Sequence, residues 1–318
     1  MFSGASEPAF WLAVLEVIWV NILLSGGYQS EDLVSDGWTE IIRNLILGEG
    51  AKKFAGQGRA MTPEELVELA DFEKMEQIRT RVDQIVKDNA TAEALKPYYR
   101  QFCKRPCFHD EYLDTFNRPN VTLIDTKGSG VERITETGVV ANGVEYRLDC
   151  LIYATGFEVG TGYTRRSGFE LYGRGGRTLS EKWSKGVRTF QGFHVEGFPN
   201  CFVVSNAQSG FTANFPHMLA EQAKHVAYVV KHCMGAQVRV IEASAEAEED
   251  WVQTIKKLAI LRRRYLEECT PGYYNNEGKP AERSEQDGWY GAGPVAFVKV
   301  LEDWRDQGDL KGLQQTRT

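Results

Sequence analysis

Positive charge is what this sequence lacks first: 37 lysines and arginines are outnumbered by 44 aspartates and glutamates, for a formal net charge of -7 and a pI near 5.5. That balance offers no broad basic surface, which argues against nucleic acid as a partner and for a small or neutral one. Cysteine is sparse as well. The six, at Cys103, Cys107, Cys150, Cys201, Cys233 and Cys269, are too thinly spread for the framework of a small secreted domain, so a reducing, cytoplasmic setting is the default expectation. Long uncharged apolar runs are missing too. The nearest, residues 8–24, falls short of the about 20 residues a spanning helix needs, and it carries Glu16 near its centre, where insertion costs roughly 2.5–3.5 kcal/mol. No cationic region precedes it and no small-residue cleavage site follows, so it reads as a buried helix, or as an apolar face that upstream sequence would cover. Finally, there is no GxGxxG, the turn whose amides hold a dinucleotide pyrophosphate at a helix N-terminus. Gly128-Ser129-Gly130 and Gly173-Arg174-Gly175 come nearest, but both lack the third glycine and read as loops.

What is present has globular composition: 42% hydrophobic and 25% charged over 318 residues, enough for one large domain or two ordinary ones. Residues 30–100 predict helices. Thr62, Pro63 and Glu65 supply an N-cap, a proline at the first helical position and a capping-box carboxylate. From there Leu66, Leu69, Phe72, Met75, Ile78, Val82 and Ile85 recur every three or four positions, a packing stripe. Residues 48–58, with their glycines and lysines, predict a loop. Beyond Pro106 the pattern shortens to β-rich runs at 121–125 and 131–135, then two strands around Asn142-Gly143, a hairpin signal. The continuously apolar Cys150-Leu151-Ile152-Tyr153 predicts a buried sheet strand running into Ala154-Thr155-Gly156-Phe157. Cys201-Phe202-Val203-Val204 predicts another, leading through the polar turn 205–210 into a helix from about 214 to 233; further helices are predicted at 245–268 and 294–306. Strand, polar turn and helix in that order mean α/β layering, with a ligand site favoured where the helix begins.

Few residues carry chemistry on their own. Alanine and glycine at 154–156 let a backbone approach a flat or phosphorylated ligand closely, although strands often end in small residues. Lys104 and Arg105, beside Pro106, are on spacing alone a solvated charge pair. Cys103, Cys107 and His109 make half a zinc site with no second cluster at a usable spacing, so no metal is expected. On the 214–233 helix, His225 next to Lys224 reads as surface and His217 as a core or capping residue.

Longer blocks carry more. CKRPCFHDEYLDTFNRPNVTLIDT at 103–126, LDCLIYATGF at 148–157, LSEKWSKGVRTFQG at 179–192 and EGFPNCFVVSNAQSG at 196–210, flanked by SEDLVSDGWTEII at 30–42 and CTPGYYNNEGKP at 269–280, resemble the Baeyer–Villiger monooxygenases in order and spacing, from about residue 24 to the end. The resemblance implies an enzyme type that uses NADPH to reduce FAD, activates O2 on the flavin, and inserts one oxygen beside a ketone carbonyl to give an ester or lactone. It implies a partial two-dinucleotide-binding-domain flavoprotein fold with a helical N-terminal segment. On that plan 1–101 is a helical insertion, 102–147 the terminal part of the NADP-binding domain, and 148–318 the C-terminal part of the FAD-binding domain. Both glycine motifs, and the family's aromatic, glycine and histidine fingerprint between them, are absent. By the same resemblance Arg105 is the catalytic arginine over the flavin, a permanently charged, multi-donor group suited to anionic oxygen. Lys104 would neighbour the phosphate of NADP. Ala154, Thr155, Gly156, Phe157, Asn214, Phe215 and Met218 would lie against FAD, and Tyr273 belongs to a loop that folds over NADP and substrate, at an aromatic position where the family often has tryptophan.

The chain is then either part of such an enzyme, completed by a missing amino-terminal half, or an inactive fragment whose uncovered apolar surface serves protein association. A flavin-containing N- or S-oxygenating enzyme is a third reading, against which the Lys104-Arg105 block and the helical insertion speak. Without glycine-turn amides the FAD pyrophosphate has nothing to bind. The chain as given is expected to purify without yellow colour and to leave NADPH unoxidised beside a ketone; stoichiometric FAD absorbance after gel filtration would reverse this.

Overall fold

In the computed structural model residues 34–45, 62–101, 103–156, 163–212, 215–259, 267–275, 277–279 and 285–317 are described. The apolar run 8–24 and the loop expected at 48–58 lie outside them. Helix α1, Gly37–Leu45, packs on α2, Pro63–Ile85, which in turn packs on α3, Asn89–Leu95. The start of α2 follows from its cap: Thr62 Oγ1 accepts from the Glu65 amide at 3.2 Å and Glu65 Oε2 accepts from the Thr62 amide at 2.9 Å, so two orphan donors are satisfied. Of the expected stripe, Met75 and Val82 are buried, whereas Phe72 is 61% exposed, and Ala70, Asp71 and Arg79 are buried instead. A three-four spacing drifts around a helix, and the neighbours α1 and α3 decide which part of it is covered. The two buried charged residues fasten the next stretch of chain. Asp71 Oδ1 accepts the Gln101 amide at 2.9 Å and Arg79 donates to Pro97 O at 2.8 Å, holding the segment 97–101 against α2. Burial pushes the Asp71 carboxyl above the ordinary carboxylate range.

A small antiparallel sheet follows, β1 Arg133–Ile134, β2 Gly138–Ala141 and β3 Val144–Arg147, with Ala141 opposite Val144. Asn142 and Gly143 turn the hairpin at φ of 52° and 74°, the left-handed pair that a two-residue type I′ turn needs. The main core lies further on. Helices α4, Phe215–Gly235, and α6, Pro294–Gln307, pack together, α4 covers strand β4, Val238–Ala243, and α5, Ala245–Leu258, lies against the turn 285–287. Strand β4 pairs antiparallel with β5, Leu313–Arg317, a pairing that the polar sequence Gln314-Gln315-Thr316-Arg317 does not announce. Met218, Val229, Ile241, Trp251, Ile255, Phe297, Leu301 and Trp304 are buried among these elements.

Three expected strands do not form. Residues 121–125, 150–153 and 201–204 carry no strand ladder, and Leu151, Ile152 and Tyr153 are 38%, 83% and 69% exposed. A strand from a parallel sheet takes its hydrogen bonds from a neighbour delivered by a crossover unit, and no such neighbour stands beside these segments among the described residues. The helix expected to run from 245 to 268 stops at Leu258, with Ala259 capping it.

Gln208 ties the C-terminal part together. Fully buried and held at φ of 56°, it donates its amide to Gly288 O at 2.7 Å and takes the Trp251 indole N–H on its own carbonyl at 3.0 Å. Its side-chain oxygen accepts from the amide and hydroxyl of Thr189 at 2.9 and 2.6 Å, and its nitrogen donates to Val187 O at 2.7 Å and Gln286 O at 2.9 Å. Gln208→Leu keeps the bulk and strands these buried groups, each worth about 1–3 kcal/mol when unpaired. We expect a loss of roughly 2–4 kcal/mol in urea unfolding followed by tryptophan fluorescence; a midpoint equal to that of the parent would show that the side chain is not a hub.

Candidate functional site

Residues 103–105 leave the segment that α2 anchors and enter a cluster with two distant pieces of chain. Cys103 is joined by a disulfide to Cys269, and Lys104 Nζ donates to Pro271 O at 2.5 Å. The loop it meets is folded around buried Asn275, whose Oδ1 accepts the amides of Gly272 at 2.9 Å and Gly278 at 3.0 Å, while its Nδ2 donates to Cys269 O at 3.0 Å. Tyr273 opens the one-turn 3-10 helix Tyr273–Asn275 of this loop. On the other side, the exposed guanidinium of Arg105 lies 5.5 Å above the centroid of the Trp38 ring, and Trp38 meets Phe108 edge-on at 5.5 Å. Gly37 lets the Phe108 ring lie close, since a Cβ there would press into it and the ring would have to shift.

The chemical consequence lies in what this hold leaves open. A ring face attracts the guanidinium without consuming its N–H groups. Among the described residues no carboxylate or carbonyl takes Arg105, so its planar fork of donors stays available to an anion. Trp38 is a site residue that sequence alone did not single out; its signal was the block SEDLVSDGWTEII, read only as family likeness.

The remaining candidates stand apart. Ala154, Thr155 and Gly156 are exposed, and Gly156 has φ of 93° with open space where a Cβ would sit, a backbone that a flat ligand can approach. Phe157 and Asn214 lie outside the described residues. Phe215 is partly exposed in the first turn of α4, whereas the Met218 side chain is fully buried, filling the space that Gly210 leaves beside Phe297. Among the described residues no hydrogen bond, ion pair or ring contact joins Lys104 or Arg105 to residues 154–156 or to Phe215. Nor do the described residues contain a group of His, Cys, Asp or Glu able to hold a metal, and Cys103 is taken by its disulfide. No described helix is long and apolar enough to cross a membrane.

No family model matches the sequence. Individual proteins do. Neopentalenolactone D synthase of Streptomyces avermitilis is 53% identical over 96% of this chain and 52% of its own length. The Baeyer-Villiger monooxygenase ATR8 of Stachybotrys chlorohalonatus is 47% identical over 92% of this chain and 47% of its own. The structure of the polycyclic ketone monooxygenase from Thermothelomyces thermophila superposes with a TM-score of 0.81 at 33% identity, covering 98% of this chain and 51% of that one. This chain is a homologue of the Baeyer–Villiger monooxygenases. It spans about half the length of the curated relatives it matches. The mixed helix and strand architecture matches the flavoprotein monooxygenase fold over that half. For such a homologue the fit to FAD is incomplete: residues 154–156 offer an open small-residue backbone, but no glycine-rich turn is present to receive a pyrophosphate.

The two histidines buried near α4 overturn the surface reading of His225. Its ring is fully buried, stacked on Phe193 at 4.5 Å and 5.1 Å from Trp304, with His194 at 6.3 Å. Among the described residues neither nitrogen of His225, nor Nε2 of His194, has a hydrogen-bond partner. Burial lowers His194 from its ordinary 6.5 to about 4; burial, then His194 and Arg305, lower His225 to about 3. The unfolded chain therefore takes up protons below 6.5 that the folded chain refuses until about 4 and about 3. Stability is present in full above 6.5 and falls as pH drops below it, by up to about 1.4 kcal/mol per pH unit for each ring. Replacing His225 with Phe should make the urea midpoint less steep in pH across this window; an unchanged slope would mean that the ring is protonated in the fold.

Proposed function

We propose that this chain is the carboxy-terminal half of a Baeyer–Villiger monooxygenase which, when joined to an amino-terminal half bearing the two glycine-rich turns, uses NADPH, FAD and O2 to convert a ketone to an ester or lactone. The observation that carries this reading is the end-to-end likeness to half of a polycyclic ketone monooxygenase. In that assembly 1–101 is the helical insertion, 102–147 the end of the NADP-binding domain and 148–318 the returning part of the FAD-binding domain. Bound there, FAD supplies the redox chemistry with oxygen. Arg105 is the catalytic residue, its free donors holding negative charge on oxygen while Trp38 holds its plane. Lys104 and the loop of Tyr273 cover NADP, and Ala154, Thr155, Gly156, Phe157, Asn214, Phe215 and Met218 line FAD, Met218 through its backbone.

A second reading rests on the exposed Leu151, Ile152 and Tyr153. Apolar side chains at a segment that has no strand partner among the described residues are an association surface, and a chain that never meets its other half would use them for that alone.

Joining the chain to the upstream half of a homologue separates the two. We expect FAD to bind and ester to form in the joined protein. Arg105→Ala should leave FAD bound and reduce ester formation by about a hundred- to a thousand-fold, and Arg105→Lys should not restore it, since a point charge lacks the planar fork. Product analysis by gas chromatography checks this. A joined protein that holds FAD and makes no ester favours the association reading, and an alanine variant at parental rate removes Arg105 from the chemistry.

A further inference from the structure

We propose that the cleft between residues 177–188, the end of α5 and the turn 285–287 binds a small oligophosphate, an anion carrying two or more linked phosphates. The cleft shares no residue with the Lys104-Arg105 cluster or with 154–156, and the inference does not require the proposed enzymatic activity.

The cleft measures about 460 Å³, within the range of roughly 300–1,000 Å³ that small ligands occupy. Five of the eight residues that line it are cationic, Arg177, Lys182, Lys185, Arg188 and Lys256, in a chain whose formal net charge is -7. Cations gathered against that balance, from pieces of chain far apart in sequence, concentrate a positive field in a concave space. A solvated helix face also carries lysines, but it does not hold them around one hollow. Here the back wall is fixed. Lys182, itself buried, reaches Glu248 at 2.9 Å and Glu196 at 2.6 Å, and Arg188 reaches Glu248 at 3.1 Å and is also paired with Glu249. Gln286 ties the turn 285–287 to the same wall, its side-chain nitrogen donating to Val187 O at 2.9 Å.

The charge open to a ligand comes from the other three cations. Arg177, Lys185 and Lys256 are exposed, and among the described residues none of them has an ion pair or a side-chain hydrogen bond. The carboxylates nearby are engaged elsewhere. Glu196, Glu248 and Glu249 are met by Lys182 and Arg188, and Asp287 accepts the Val187 amide at 2.6 Å. Glu181, the one carboxylate on the wall, accepts the Thr178 amide at 2.9 Å. A singly charged anion would meet one of the three cations. An oligophosphate presents several negative oxygens over a short length, so it can meet all of them together. Arg177 offers a planar fork of donors to one phosphate, while the two ammonium groups act as point charges on the next.

The test titrates the chain itself with tripolyphosphate in a calorimeter, in about 0.1 M salt, where a Debye length of about 10 Å screens diffuse attraction. We expect one saturable site. Arg177→Gln, Lys185→Gln and Lys256→Gln combined should weaken binding by about tenfold or more. Lys127→Gln, Lys231→Gln and Lys311→Gln combined remove the same charge from exposed positions elsewhere and should leave binding within about twofold. ATP separates the sources: binding tighter than that of tripolyphosphate points to a nucleotide, equal or weaker binding to the free oligophosphate, and either supports the proposal. If the first triple variant does not fold, the parent chain decides. Tripolyphosphate should shield Lys185 and Lys256 from acetylation by acetic anhydride, read by peptide mass spectrometry, and leave Lys127, Lys231 and Lys311 reactive. No binding at about 1 mM tripolyphosphate, equal weakening in the two triple variants, citrate binding as tightly, or no shielding of Lys185 and Lys256 would each overturn the proposal.

Discussion

Gln208 joins stretches of chain that no local force brings together: its side-chain amide meets the approach to Phe190 and the turn before Tyr290, and its backbone carbonyl takes the Trp251 indole of α5. Once buried, such a group is an obligation, because every donor and acceptor it presents must be met or the fold loses free energy. The same rule governs the charges nearby. Glu248 is 1% exposed and is met by Lys182 at 2.9 Å and Arg188 at 3.1 Å, while its other oxygen takes the Glu196 amide at 2.9 Å. Either cation alone still compensates the buried carboxylate, but losing both would leave it uncompensated, so this polar layer favours one arrangement of 182–196 against α5.

That rigidity contrasts with the segments that bear the candidate chemistry. Arg105 is placed by a chain of unlike interactions, each from a different part of the molecule. Asp71 and Arg79 fix the approach from α2, Trp38 holds the guanidinium from α1, and the disulfide with the Lys104 contact supplies the far side from 269–271. A domain boundary at 101–102 therefore crosses a stretch that is bonded on both sides. The segments at 150–156 and 201–204 lie at the opposite extreme, apolar in sequence and without a ladder. Their apolar residues suit a sheet strand, but among the described residues no strand stands beside them to supply the hydrogen bonds.

Much of this was legible from residues alone where the physics is local. The capping box at Thr62 and Glu65, the Asn142-Gly143 hairpin and the proline-opened helix at 294 each depend on a few adjacent residues, and they form as the sequence predicts. The ordered blocks from 103 to 210 likewise identified the family, because a fold's constraints leave their residues in fixed order along the chain. What sequence could not determine depends on partners far along it. His225 looks like a surface residue beside Lys224 until Phe193, His194 and Trp304 close over it. Phe72 looks like core, yet among the described residues it stays 61% exposed, with only part of its ring under the Arg79 guanidinium. Cys103 and Cys269 are two of six cysteines with no visible reason to pair. Strands at 150–153 and 201–204 were read correctly as apolar and wrongly as paired, since apolarity belongs to a residue whereas a ladder belongs to two chains of atoms brought side by side. Sequence by itself determined the local elements and the family; burial, pairing and the surroundings of Arg105 were decided by tertiary structure, because each is a relation between residues that the chain order keeps apart.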